Sequence, residues 1–246
     1  MNYKTTNKCF DDLVINIKTY FSNKKNIILF QKRNVIKIVD FNGEKYVVKS
    51  FKIPHLINKI VYKFFRDSKA KRSYENSVKL IELNINTPKP IGYIEFSSIA
   101  FFKDSYYISS FFDYDFEIRA VFKDKNFKDR EKILRKFIEF TFDIHNKGVY
   151  HVDYSPGNIL VKIIDAEYIF YVIDVNRMKF LEFDIDLRIK SISKLTSNSD
   201  DNNLMITYYS EVSNIDLELL KVRYTFYLNE QQKYLENKKR LKKMKG

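Results

Sequence analysis

Cysteine is nearly absent. Cys9 is the one thiol in 246 residues, so no internal disulfide framework can form, and a reducing compartment suits the chain. Long apolar runs are missing as well: the best candidate, around residues 91–112, is interrupted by Glu95, Lys103 and Asp104, short of the about 18 residues a membrane span needs. The opening MNYKTTNKCFDDL has no apolar core of the kind a secretory signal carries. No Cys/His cluster has zinc-ligand spacing, and no segment repeats. These absences point to a cytoplasmic protein, soluble or attached to a surface. Acidic residues are also the minority, and the excess charge of +13 is unevenly spread. Lys45 to Arg72 sets nine basic residues against Asp67, and Lys233 to Gly246 sets seven against Glu236. Such patches attract polyanions in general, so nucleic acid and anionic membrane are both admissible partners.

What is present is enough for a core. With 45% hydrophobic and 16% aromatic residues the chain reads as globular, one two-lobed domain or two small ones. IILF (27–30) and VIKIVDF (35–41) flank QKRN, and Asn42-Gly43 is a two-residue hairpin signal before EKYVVKSF (44–51). Helical spacing follows at Leu56, Ile57, Ile60, Val61, Phe64 and Phe65, with lysines between them. A second helix is expected from about Ser68 to Leu83, stopped by Thr87-Pro88-Lys89-Pro90. IAFF (99–102) and YYISSF (106–111) read as another hairpin, and apolar positions from Asp129 to Asn146 as a helix ending at Gly148. Beyond Phe180 the pattern weakens to a loop over 197–203 and helical segments near 204–220 and 222–243.

The richest stretch is Tyr150 to Arg177, YHVDYSPGNILVKIIDAEYIFYVIDVNR. Two apolar runs, ILVKI (159–163) and YIFYVI (168–173), are separated by Ile164-Asp165-Ala166-Glu167, which reads as a short turn. A hairpin centred on Ala166 sets Asn158 opposite Asp174, with Cβ atoms about 4.5–5.5 Å apart. A carboxylate and an amide oxygen at that separation can share one hard divalent cation, and Mg²⁺ takes few protein ligands beside phosphates and water. Asp153 enters the same end of the hairpin as a further carboxylate. Three turn-capping residues would look similar one at a time, but the set of three with His151 favours a site.

HVDYSPGN resembles the catalytic loop of protein-kinase-like phosphotransferases, H-x-D-x-x-x-x-N, and Asp174 then matches the metal-binding Asp of D-F-G. Together with SKAKRSYENSVKLIELNINTPKPIGYIE, HNKGVYHVDYSPGNIL and IDVNRMKF, the chain from about Val35 to Phe180 is similar to the lipopolysaccharide kinase family, which phosphorylates Kdo or heptose of the lipopolysaccharide core. The resemblance implies an α+β, protein-kinase-like two-lobed fold: a small antiparallel-sheet N-lobe over about 1–110, a larger mainly helical C-lobe over about 111–232, and a basic tail, 233–246. It implies ATP and Mg²⁺ as cofactors, Asp153 as catalytic base, and Asn158 and Asp174 as metal ligands. Lys49, in V-V-K-S, takes the place of the lysine that holds the nucleotide phosphates, with Glu75 as its ion-pair partner and Glu82 as the other candidate. The adenine pocket falls to Phe111, Phe112 and Asp113, walled by Val47, Leu160 and Ile173. His151 takes a loop-bracing position, and His145 and His55 read as structural.

Three departures from the pattern stand out. No Gly-rich phosphate loop exists, since only Gly43 precedes Lys49, so QKRN must act through Lys32 or Arg33. D-F-G reads Asp174-Val175-Asn176, where Asn tolerates left-handed dihedrals much as Gly does. The arginine of H-R-D is Val152, which speaks against an activation-loop phosphorylation switch. Ser155, with Pro156-Gly157, looks like small-molecule kinases. The expected protein is therefore a kinase for a lipid-linked core sugar, peripheral on an anionic membrane surface through its basic segments. A kinase for a protein or small metabolite, a pseudokinase and a nucleic-acid binder are the rivals. No nucleic acid is expected, because no stacking motif accompanies the basic patches.

Overall fold

The computed structural model describes residues 1–32, 34–51, 67–97, 102–196 and 198–243, with backbone alone at 235, 238, 239 and 241–243. They form two compact units, Met1–Asp113 with Val172–Arg177, and Tyr114–Tyr171 with Met178–Gly246.

The first unit is built on a sheet. Its elements are β1 (Asn2–Thr5), α1 (Asp11–Ile15), α2 (Ile17–Ser22), β2 (Ile27–Gln31), β3 (Asn34–Phe41), β4 (Glu44–Phe51), α3 (Lys69–Glu82), β5 (Pro90–Ser97) and β6 (Phe102–Ser110). The strands pair antiparallel in the order β1-β5-β6-β4-β3-β2. Asn42 and Gly43, with φ of 51° and 80°, make the tight β3–β4 turn, and that backbone twist suits a hairpin. Alternation along β4 then decides which side chains go where. Tyr46 and Val48 point into a core with Leu13, Val14 and Ile17 of α1 and α2. Lys49 and Phe51 belong to the opposite face, where Phe51 packs with Ala70 and Tyr74 of α3 and Tyr93 of β5. Each of the larger aliphatic side chains and Phe51 contributes roughly 1.5–3 kcal/mol relative to exposure.

Helix α3 matches its expected span, because Ser68 caps it by accepting a hydrogen bond from Lys71 N at 3.1 Å. Other expectations need correction. Strand β6 starts at Phe102, the last residue of IAFF, and pairs Pro90–Ser97: Pro90 and Gly92 look like turn residues, but a register irregularity between them lets the strand run on. The N-terminal strand and helices were not legible as elements. The helix expected over 56–65 lies outside the described residues, as do 99–101 of the expected hairpin.

The second unit contains β7 (Phe116–Glu117), α4 (Ile118–Lys123), α5 (Arg130–Asn146), β8 (Val149–His151), β9 (Ile159–Ile164), β10 (Glu167–Val172, through Tyr171), β11 (Met178–Phe180), α6 (Ile185–Ile192), α7 (Ser199–Ser213) and α8 (Leu217–Lys243). Strands β10, β9 and β7 form one small sheet, and β11 pairs β8. The segment expected to be a loop over 197–203 is helical from Ser199. Asn198 explains this, since its side-chain oxygen accepts from the backbone N–H of Asp200 and Asp201, both at 3.1 Å. Buried Asp201 then fastens α7 through ion pairs with Lys125, at 2.7 Å, and with Arg130. Among the described residues no helix is long and apolar enough to cross a membrane.

Candidate active site

The loop after β8 is held largely by its own hydrogen bonds. His151 is buried, and its Nδ1 accepts the N–H of Asp153 at 3.2 Å. Asn158 closes a 3-10 turn, Pro156–Asn158, and its side-chain amide donates to the carbonyl of Asp153 at 2.9 Å. That bond brings the two polar residues of the H-x-D-x-x-x-x-N pattern together and leaves the Asn158 Oδ1 as an acceptor for a cation. Tyr154 anchors the loop from beneath. It is fully buried, stacks on Phe137 at a centroid distance of 6.1 Å, and shares a 2.8 Å hydrogen bond with Thr141. Burial pushes its phenol well above the ordinary range, so the hydroxyl stays protonated.

Two basic residues touch this loop that sequence reasoning did not find. Lys194 donates to the Val152 carbonyl at 3.0 Å and to the Tyr150 hydroxyl at 2.8 Å. It thus braces the loop at the very residue where an arginine is missing. Arg119, on α4, spreads its guanidinium where a side chain at Gly157 would lie: a Cβ there would come within 1.5 Å of the Arg119 Nη2. A side chain at Gly157 would have to push aside the flexible end of Arg119. Arg119 remains half-exposed, and its acid neighbour Glu117 is 3.6 Å away. Neither lysine nor arginine belongs to a local motif with the loop, so spacing offered no signal.

The first unit holds the other two polar residues. Lys49 forms an ion pair with Asp174 and is 14% exposed. Asp174 adopts a left-handed φ of 57°, and the chain then enters a 3-10 turn, Val175–Arg177. The left-handed residue is therefore Asp174, where the sequence had suggested Asn176. Asn176 is buried and donates to the Asp174 Oδ1 at 2.8 Å, which its place in the 3-10 turn allows. Three further bonds hold this segment: Asn76 on α3 donates to the Val175 carbonyl at 2.7 Å, Thr87 to the Val172 carbonyl at 2.8 Å, and Val172 N to the Asn86 carbonyl at 2.9 Å.

Two geometric expectations are overturned. Lys49 does not pair with Glu75; Glu75 lies 3.8 Å from Lys71 one turn earlier on α3 and is half-exposed. The face of α3 that reaches the 174–177 segment is that of Asn76, one residue on. Glu82 sits 3.4 Å from Lys79. The hairpin turn is also tighter than expected, with Asp165 and Ala166 alone as its turn residues, both at positive φ. Asn158 precedes β9 and Asp174 follows β10, so both lie outside the strands themselves.

Around Lys49 the first unit presents an apolar shelf. Ile36 is the direct cross-strand partner of Lys49, Phe30 of Ile36, and Val47 of Ile38, so these side chains share one face. Val47 also pairs Ser109, and Phe111, Phe112 and Asp113 follow directly after β6. Phe111 is 38% exposed, and its N–H donates to the Lys45 carbonyl at 3.1 Å. Ile173 lies between Val172 and Asp174, and Leu160 is buried on β9 of the second unit. Lys32 is exposed in the β2–β3 turn; Arg33 lies outside the described residues. Among the described residues there is no cluster of three His, Cys, Asp or Glu side chains able to hold a metal. The Asn158 Oδ1 in the second unit and the Asp174 carboxylate in the first are each hard oxygens of the type Mg²⁺ takes beside phosphates and water.

The antiparallel sheet with one helix on the face of Lys49, followed by a mainly helical unit bearing the Asp153–Asn158 loop, is a protein-kinase-like α+β fold. Along nearly its whole length the chain is similar to WaaP, solved in complex with acyl carrier protein: the TM-score is 0.65 at 14% identity, over 96% of this chain and 99% of that one. A structure of WbdD matches at a TM-score of 0.48 and 16% identity, over 82% of this chain and 45% of WbdD. Another, described as the bifunctional kinase-methyltransferase WbdD, matches at 0.46 and 14%, over 93% and 46%. No protein-family model matches the chain, and no curated protein does.

Proposed function

We propose that this chain is an ATP-dependent kinase that phosphorylates a sugar hydroxyl, of Kdo or heptose, in the lipopolysaccharide inner core, working at the cytoplasmic face of the inner membrane. The observation that carries the reading is the Asp153 loop, closed on itself by Asn158 and braced by Lys194. The Lys49–Asp174 ion pair and the kinase-like fold support it. The sugar acceptor rests on the resemblance of the loop and its flanking segments to the lipopolysaccharide kinase family.

In this mechanism Asp153 orients the acceptor hydroxyl and takes its proton as the new P–O bond forms and the bond to the ADP leaving group breaks. Lys49 and Asp174 neutralise each other, and each also serves the nucleotide. Lys49 would turn to its phosphates, while Asp174 and the Asn158 Oδ1 would each be available to the cation. Mg²⁺, when bound, supplies neutralisation of the charge on the transferred phosphoryl group. Val47, Ile36 and Phe30 form an apolar surface for the purine, with Phe111 to Asp113 at its edge. Arg119 adds a half-exposed cation against the catalytic loop, suited to an anionic acceptor.

The test is phosphate transfer from labelled Mg²⁺-ATP to core lipopolysaccharide by the purified protein. Transfer that disappears in Asp153→Asn supports the reading. ATP binding without transfer to any core sugar would move the acceptor to a protein or small metabolite, or make the chain a pseudokinase.

A further inference from the structure

Helix α8 is long, at 27 residues about 40 Å, and its two flanks differ sharply. One flank is packed. Leu220 and Tyr224 are buried, the Tyr224 hydroxyl donates to Asn202 on α7, and Arg223 makes a two-pronged ion pair with Asp186 on α6 at 2.9 and 3.0 Å. The other flank carries Leu219, Val222 and Phe226, spaced three and four apart so that they form one stripe. They are 42%, 68% and 57% exposed, and Tyr234, two turns further, is 63% exposed. An apolar stripe on a helix fixed by its opposite side is not a core face awaiting closure.

The charge of the same helix says what would cover it. From Leu217 to Gly246 the sequence has nine basic residues against Glu218, Glu230 and Glu236, and the basic excess lies beyond the stripe, from Lys233 onward. A second copy of the chain would bring two such positive ends together, which is unfavourable. A convex helix face also offers a protein partner no groove. An anionic lipid layer satisfies both features, since headgroups neutralise the cations and the acyl boundary accepts the apolar side chains.

We propose that the outer flank of α8 docks the protein on an anionic membrane, with Leu219, Val222 and Phe226 entering the headgroup layer and the positive charge of the sequence from Lys233 onward drawing it there. This deepens the reading of a lipid-linked acceptor and rests on it for its purpose, though its test needs no catalysis. The chain has no tryptophan, so Phe226→Trp introduces a single reporter. Its emission should shift to the blue with vesicles of phosphatidylcholine and phosphatidylglycerol, and stay unshifted with phosphatidylcholine alone. In sedimentation with the anionic vesicles, Val222→Ser with Phe226→Ser should weaken binding at least about tenfold while leaving the melting temperature in place. Raised salt should weaken the parent protein's binding. Equal vesicle binding by parent and double variant overturns the proposal. So does a blue shift that appears without vesicles and tracks self-association, or one given by a soluble acidic protein and not by vesicles. Asp153→Asn protein should bind vesicles as the parent does, so loss of the kinase reading would leave this result standing on its own.

Discussion

The two polar segments of the candidate active site are held in opposite ways. Within the Asp153 loop, His151, Asp153, Ser155 and Asn158 bond to one another across a few residues. The Asp174 segment owes its place to residues far away in the chain, at Lys49, Asn76, Asn86 and Thr87. A self-bonded loop keeps its local shape through its own sequence. A segment fastened from outside takes its shape from the sheet and helix that hold it, so changes in those elements reach it directly.

The sharpest break with this contrast comes from Asp153→Asn. Turnover should fall roughly 10²–10⁴-fold while ATP affinity stays near the parent value, because a general base acts mainly in the transition state and the asparagine preserves the loop's shape. Wild-type turnover in that variant would remove Asp153 from the chemistry. Lys194→Met comes next. It removes the external brace of the self-bonded loop, a charged hydrogen bond, and should cost about 1.5–3 kcal/mol in denaturant unfolding. A negligible cost would mean the loop stands entirely on its own bonds. Asn76→Ala probes the other segment: loss of one neutral hydrogen bond to Val175 should cost about 1 kcal/mol and weaken Mg²⁺-ATP binding more than it lowers turnover at saturating ATP. Equal effects on both would contradict a role confined to placing Asp174.

The smallest effect distinguishes the two units by pH. His145 is buried at the end of α5, stacked on Phe183, with its Nδ1 against the Tyr209 hydroxyl at 3.0 Å and Arg188 donating to that same hydroxyl. Burial, with the Arg188 charge behind it, pushes its pKa down to about 3. The folded form thus keeps His145 neutral while the unfolded chain protonates near the ordinary value of about 6.5. Below that value the unfolded state binds more protons, so stability falls as pH drops toward 3. The loss should be about 1 kcal/mol between pH 6.5 and 5.5. Both described histidines, His145 and His151, belong to the second unit, so the loss is expected there. Chemical-denaturation curves at the two pH values, with His145→Phe as the control that flattens the dependence, check this.

The same contrast explains what could be read without coordinates. HVDYSPGN was legible because its interactions are local, and Ser68 and Asn42-Gly43 because caps and tight turns are set by adjacent residues. The α3 span and the β3–β4 hairpin followed. The partner of Lys49 was not legible: whether Glu75 or Asn76 faces the 174–177 segment is decided by how α3 packs on Phe51 and Tyr93, and helical spacing places both residues on neighbouring sides. Pro90 and Gly92 hid β5, because their turn character is overridden by pairing with β1 and β6. Arg119 on α4 and Lys194 in the turn after α6 are single basic residues, and nothing in their sequence neighbours marks them.

Lys194 carries a further consequence. Its ammonium ties the Val152 carbonyl to the residues that end α6, more than forty positions downstream. Loosening of the Asp153 loop is thereby tied to the end of α6. Amide hydrogen exchange should show the amides of 152–158 and those of 189–195 opening together, as one cooperative unit, at a free energy below that of global unfolding. Opening of this buried helix end would then set how often Asp153 loses its alignment.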